Sequence, residues 1–222
     1  MASLFRGRSV PPPSQRLEQE LSSLEQRAAA ASPGYETQFL NRAGSLCVEA
    51  GQPERALGYY GRAIDAYLES GRFSAAEVLC RKVLQIAPGA VRARCTLAWL
   101  AIGKGHRSGA AQEIADYVGA ARRAGMEALA ARQLAMMAAA APAAELREAI
   151  GDHLLDLGAF TEADRVFAAV HQERSGDRPP PSEDEGRLWS QLLHAALMGP
   201  SEIREQRPGE ESGAPPGPGE AR

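Results

Sequence analysis

The chain has 222 residues, a length that fits one domain or a short repeat array with tails. Alanine far outnumbers valine, isoleucine and threonine, which favours helices and argues against an all-β or doubly wound parallel fold. The formal net charge of −3 argues against the strongly basic surface that nucleic-acid-binding proteins carry, so we expect no nucleic-acid partner.

The cysteine content and the lack of long apolar runs indicate the cellular location of the protein. The three cysteines form no C-x-x-C pair and fall inside apolar helical patterns, as small buried residues do in reducing compartments. No stretch approaches the 18 consecutive apolar residues of a membrane span. We therefore expect a cytoplasmic protein without a membrane partner.

The N-terminal part divides into a disordered tip, residues 1–14, and an amphipathic helix over residues 15–31. Leu17, Leu21, Leu24 and Ala28 recur at spacings of three and four, which places them on one face of that helix. This face predicts one of two contacts, either with the first repeat of the same chain or with a second copy in a homodimer.

Regular turn signals divide residues 35–175 into segments of about 14–19 residues, a length typical of helices. Examples are the segments 54–69 and 126–141. After a linker at 176–182, the spacing of Ser182 and Glu185 resembles a capping box, and a wide apolar face follows it. We predict a C-terminal capping helix over residues 183–198 and a disordered tail, rich in proline and glycine, over residues 199–222.

An internal repeat accompanies these turns. A turn glycine is followed five residues later by an alanine, four positions further by a larger or apolar residue, and then by another apolar residue. Glycine permits a tight turn and alanine a close approach of two helices. The four glycine–alanine pairs are Gly51 and Ala56, Gly71 and Ala76, Gly105 and Ala110, and Gly158 and Ala163.

These residues resemble the tetratricopeptide repeat (TPR) family, whose unit is a 34-residue helix-turn-helix. The best copies span residues 91–124 and 144–177, and the resemblance covers roughly residues 35–175. It implies an all-α, TPR-like stack of antiparallel helices, and the composition of the two ends adds disordered termini. Successive turn glycines lie 20, 34 and 53 positions apart, so the sequence leaves open which helices line the concave face.

The resemblance also implies where a partner would bind, since the first helix of each TPR unit lines a groove. Carried over to this chain, the groove positions include Asn41 and Ser45 in the first copy and Arg92, Cys95 and Trp99 in the third. Trp99 is either an aromatic anchor for the partner or a core residue. Some TPR co-chaperones clamp a terminal carboxylate with lysines and asparagines; only Asn41 matches that set, and we expect a different partner.

An acidic group lies on the last copy. Glu145, Glu148, Asp152 and Asp156 follow one another over three helical turns on nearly one face. This face either attracts a basic peptide or is simply solvated.

The sequence contains none of the common catalytic, metal-binding or nucleotide-binding motifs, so we predict neither an enzyme nor a cofactor. The leading hypothesis is a protein–protein interaction scaffold that holds a peptide or helix of its partner. One alternative is a small TPR-type chaperone for a secreted or assembling protein. Another is an enzyme or enzyme subunit with a site around His153 and its acidic neighbours.

Overall fold

A computed structural model describes residues 12–105 and 107–176. The described residues form nine α-helices of 13 to 18 residues and contain no strand, which confirms the all-α helical stack. In chain order, they are α1 Pro13–Ala30, α2 Glu36–Glu49, α3 Pro53–Glu69, α4 Phe73–Ile86, α5 Val91–Gly103, α6 Arg107–Arg123, α7 Glu127–Ala140, α8 Ala144–Asp156 and α9 Phe160–Arg174.

Several predicted helix boundaries agree with the structure within one or two residues. The predicted helices 15–31, 54–69 and 126–141 correspond to α1, α3 and α7. The predicted capping helix at 183–198 and the tail at 199–222 lie outside the described residues, as do most of the predicted N-terminal tip and of the linker.

The turns use glycine where the backbone needs a left-handed conformation. Gly51, between α2 and α3, has φ of +69°, and the N–H of Gln52 donates a 2.8 Å hydrogen bond back to the carbonyl of Cys47. This bond satisfies a carbonyl at the end of α2, and Pro53 then starts α3 at a position where its missing N–H costs nothing.

Each helix packs against the next one in sequence. From α5 onward, helices two apart also approach closely, in the pairs α5 and α7, α6 and α8, and α7 and α9. In the first half of the stack, long polar side chains bridge such helices instead. An example is Arg55 on α3, which pairs with Glu18 on α1 at 2.6 Å.

One continuous core runs through the layers. Its largest fully buried side chains include Trp99, Tyr60 and Tyr117. The apolar face of α1 joins the same core, with Leu21 only 1% exposed, and α1 packs against α2. Of the two contacts predicted for this face, the one within the chain is present.

Candidate functional site

A cleft between α2 and α4 is the best candidate for a binding site. Both helices pack on α3, yet no Cα atom of α2 lies within 8 Å of a Cα atom of α4. The buried ring of Tyr60 on α3 contacts α2 at Gly44, where an added Cβ would lie 2.4 Å from the ring carbon Cε1. Glycine at position 44 therefore lets an aromatic side chain lie flat against the α2 backbone below the cleft.

Lys82 reaches across this cleft from α4. Its Nζ lies 4.6 Å from the centre of the Tyr60 ring, within cation–π distance, and donates a 3.1 Å hydrogen bond to Ser45 Oγ on α2. Among the described residues, the ammonium group has no carboxylate partner. The cleft thus holds a half-buried positive charge that is available to an anionic group.

Asn41 lies one helical turn before Ser45. Ser45 Oγ donates a 3.0 Å hydrogen bond to the Asn41 carbonyl, so the 3.3 Å contact between the hydroxyls of Ser45 and Tyr60 has Tyr60 as its donor. The Asn41 side-chain oxygen Oδ1 is buried and has no hydrogen-bond partner. An unsatisfied buried acceptor costs about 1–3 kcal/mol.

A comparison with protein family models identifies part of this helical stack. Residues 67–133 match the family model described as tetratricopeptide repeat. This segment of the chain is tetratricopeptide repeat sequence. The match runs from the end of α3 into α7 and includes Lys82. The wider extent of the repeats, residues 35–175, stays a prediction.

Two further comparisons were with curated proteins and with solved structures. No curated protein and no solved structure matches the chain. TPR repeats generally mediate protein–protein interactions.

The groove residues predicted on α5 lie elsewhere in the TPR stack. Trp99 is 1% exposed, and its Nε1 donates a 3.0 Å hydrogen bond to Gln133 Oε1 on α7. Trp99 is therefore a core residue here, and its interpretation as an exposed anchor is wrong for this conformation. Arg92 is partly exposed but forms an ion pair with Asp65 on α3, so its charge is already compensated.

The predicted acidic face lies on α8, at the other end of the described stack. Glu148 accepts two hydrogen bonds, of 2.7 and 2.8 Å, from the Arg174 guanidinium on α9. Glu145, Asp152 and Asp156 are exposed. The seven predicted site residues thus lie on three separate helices, and only Asn41 belongs to the α2–α4 cleft.

Sequence reasoning missed Lys82 because it carried groove positions over only to the first, third and last copies, and none of these includes α4. One signal was present, since Lys82 is one of only two lysines in a chain whose other basic residues are arginines. Once α2 and α4 are seen to lie on the same side of α3, Lys82, Ser45 and Asn41 form one polar site.

The alternative site around His153 has little geometric support. His153 Nδ1 lies 3.9 Å from Asp156 Oδ2, one turn further along the same helix, and the Asp156 side chain is 62% exposed. Within residues 12–105 and 107–176, no group of three or more histidine, cysteine or acidic side chains is placed to hold a metal ion. In the same residues, no helix has the length and apolar character to span a membrane.

The cysteines are packed as small apolar residues. Burial raises the pKa of Cys80 and of Cys95 to about 12 and also raises that of Cys47. Each thiol is therefore protonated at neutral pH, whereas the thiolate is the nucleophilic form. This environment agrees with the structural role predicted from the sequence.

Proposed function

We propose that this TPR protein binds a peptide segment of another protein in the α2–α4 cleft. The observation that carries the proposal is the half-buried Lys82 ammonium, which has no carboxylate partner among the described residues. In this arrangement Lys82 attracts a carboxylate of the peptide, and the partly exposed Asn41 side chain lines the same cleft.

We favour an extended peptide over a small molecule as the ligand. The polar groups of the site come from two helices, α2 and α4, and those on α2 are spaced by one helical turn. TPR-like stacks present such extended surfaces because each helix pair contacts only its neighbours. An acidic peptide also complements the positive charge of Lys82.

Selection from a random peptide library, displayed on phage and presented to the purified full chain, tests this function. We expect acidic peptides to be enriched and their Kd, measured by fluorescence polarisation, to rise at least tenfold in Lys82→Gln and in Asn41→Ala. Arg62→Gln is the matched control, because it also removes one positive charge but lies exposed on α3. Selected peptides that bind all three variants equally would place the site elsewhere.

Three further predictions from the sequence also remain proposals: a chaperone role, a homodimer and a cytoplasmic location. The chaperone hypothesis uses the same kind of groove, and no contact in the described residues favours it over a stable scaffold. A homodimer through α1 would have to use the outer side of that helix, because its apolar face is buried within the chain. A cytoplasmic site of action is proposed from the cysteine and composition argument alone.

A further inference from the structure

Three consecutive helices of the stack are an internal duplication of the three before them. Both α6 and α7 begin and end 54 residues after α3 and α4. The helix α5 follows α2 with the same offset at its end and within one residue of it at its start. Each position of the α2–α4 cleft therefore has a counterpart between α5 and α7, and a feature that differs between the two is not required by the shared fold.

Between α5 and α7, the counterpart of the cleft is filled. Trp99, at the position of Ser45, is 1% exposed and bonds Gln133 on α7. The backbones of α5 and α7 also approach within 8 Å, which those of α2 and α4 do not. Met136 occupies the position of Lys82. The cation and the wider helix separation thus belong to the first unit alone.

Val48 on α2 differs from its counterpart in the same way. It lies one helical turn after Ser45, on the same side of the helix as Ser45 and Asn41. Val48 is 42% exposed, whereas its counterpart Ile102 is 2% exposed. The fold can therefore bury this position, and in the first unit it leaves apolar surface open beside the polar groups of the cleft.

A second exposed valine lies on the other helix of the cleft. Val78 precedes Lys82 by one turn on the same face of α4 and is 69% exposed. Along the helix axes, Val78 lies about 6 Å from Lys82, and Val48 about 4.5 Å from the Ser45 that Lys82 bonds. Side chains two residues apart in an extended peptide lie about 6.6 Å from each other, a similar spacing.

We propose that the α2–α4 cleft recognises an internal acidic side chain that has an apolar side chain two residues before it and another two residues after it. This specificity rests on the function proposed above. Lys82 binds the carboxylate, while Val48 and Val78 contact the apolar side chains and remove their surface from water. The partner segment is therefore apolar–acidic–apolar and not a run of acidic residues, which would satisfy Lys82 alone.

Short synthetic peptides in a glycine–serine background, bound to the full chain and followed by fluorescence polarisation, test this specificity. The reference peptide carries a central glutamate with leucine two residues before and after it. Replacing both leucines with serine, or the glutamate with glutamine, should raise the Kd at least tenfold. A peptide with a run of glutamates and no leucine should bind more weakly than the reference peptide.

Val48→Ser and Val78→Ser test whether the two valines make the apolar contacts. In each variant, we expect the preference for leucine over serine to fall at least threefold, while the preference for glutamate over glutamine is unchanged. Leu155→Ser is the matched control, because Leu155 is 40% exposed but lies on α8, and it should keep both preferences. A wild-type Tm in all three variants shows that the fold is intact.

The outcomes separate this specificity from the function on which it rests. A glutamate preference that depends on Lys82, without a leucine preference in wild type or with one that survives in both valine variants, would overturn the specificity alone. Tighter binding of the polyglutamate peptide would also overturn it, in favour of a polyacidic partner. The absence of any glutamate preference in wild type would overturn the proposed function as well.

Discussion

At the scale of single residues, two glycines determine how closely the helices of a pair approach. A Cβ at Gly44 would lie 2.4 Å from Tyr60, and one at Gly151 would lie 2.7 Å from Phe167, both inside van der Waals contact. The two glycine–aromatic pairs have the same separation, 16 residues. Each pair therefore fixes the same helix-to-helix geometry in its own unit.

We expect Gly44→Ala and Gly151→Ala to lower the free energy of unfolding by about 1–3 kcal/mol, because the added methyl overpacks an aromatic contact. Gly58→Ala is the control: it lies within α3, nothing lies within 4 Å of its added Cβ, and the change should stabilise by about 0.5–1 kcal/mol. Urea unfolding measures all three. A stability equal to or above that of wild type in Gly44→Ala and Gly151→Ala would contradict the close approach.

Glu77 on α4 provides a pH-dependent contribution to stability. Hydrogen bonds from Lys104 and, at 3.0 Å, from Arg81 hold the pKa of its carboxyl below the ordinary value of 4.5. Because the folded pKa lies below the unfolded one, the contribution is full above about pH 4.5 and is lost as the pH falls through the folded pKa.

Glu77→Gln should therefore destabilise the protein at pH 7 and also reduce the loss of stability between pH 5 and pH 3. Urea unfolding at several pH values measures both effects. Glu69→Gln, which changes an exposed carboxylate on α3, should keep the wild-type pH dependence. An identical pH dependence in Glu77→Gln and wild type would show that the two cations do not act on this carboxyl.

At the scale of elements, α1 is held to the stack by apolar and polar contacts. Leu21 is 1% exposed. On the same helix, Glu25 accepts a 2.7 Å hydrogen bond from the Tyr59 hydroxyl, and burial together with this bond raises the pKa of Tyr59 to about 12. These contacts make α1 part of the fold and not a separate arm.

We expect Leu21→Ala to lower the free energy of unfolding by about 2–5 kcal/mol, as buried leucine truncations do, without changing the solution mass. Ser22→Ala, on the exposed side of α1, should change neither quantity. Urea unfolding and light scattering measure them. A mass that falls from dimer to monomer in Leu21→Ala would show instead that this face also mediates dimerisation.

The sequence predicts the helices well because their ends are coded locally. A positive-φ glycine follows six of the nine described helices, such as Gly71 after α3, and Pro142 follows the end of α7, so α3 and α7 begin and end within one or two residues of the prediction. The site was predicted poorly because it depends on which helices share a layer. Trp99 is buried because α7 packs on it and Gln133 accepts its hydrogen bond. Lys82 on α4 can bond Ser45 on α2 because both helices pack on α3.

At the scale of the whole molecule, the two halves of the described stack are held together differently. In α1 to α4, each backbone approaches only its neighbours in sequence, and polar side chains bridge the helices two apart. In α5 to α9, backbones two apart also pack. Each helix of the second half therefore also contacts a helix that is not its neighbour in sequence, while the first half holds the α2–α4 cleft.

This difference predicts that the stack opens locally from its N-terminal half, since regions with fewer packed neighbours have lower opening free energies. In native-state hydrogen exchange at increasing urea concentrations, we expect the amides of α2 to α4 to exchange before those of α5 to α8.

Arg147→Met provides an internal control. Its buried guanidinium joins the carbonyl of Ala141 to Glu173, so its loss should speed exchange in α7 to α9 alone. If α2 to α4 exchange first, a peptide could move α2 away from α4 at a small cost in free energy. Simultaneous exchange of all helices would mean instead that the stack is a single cooperative unit with a preformed cleft.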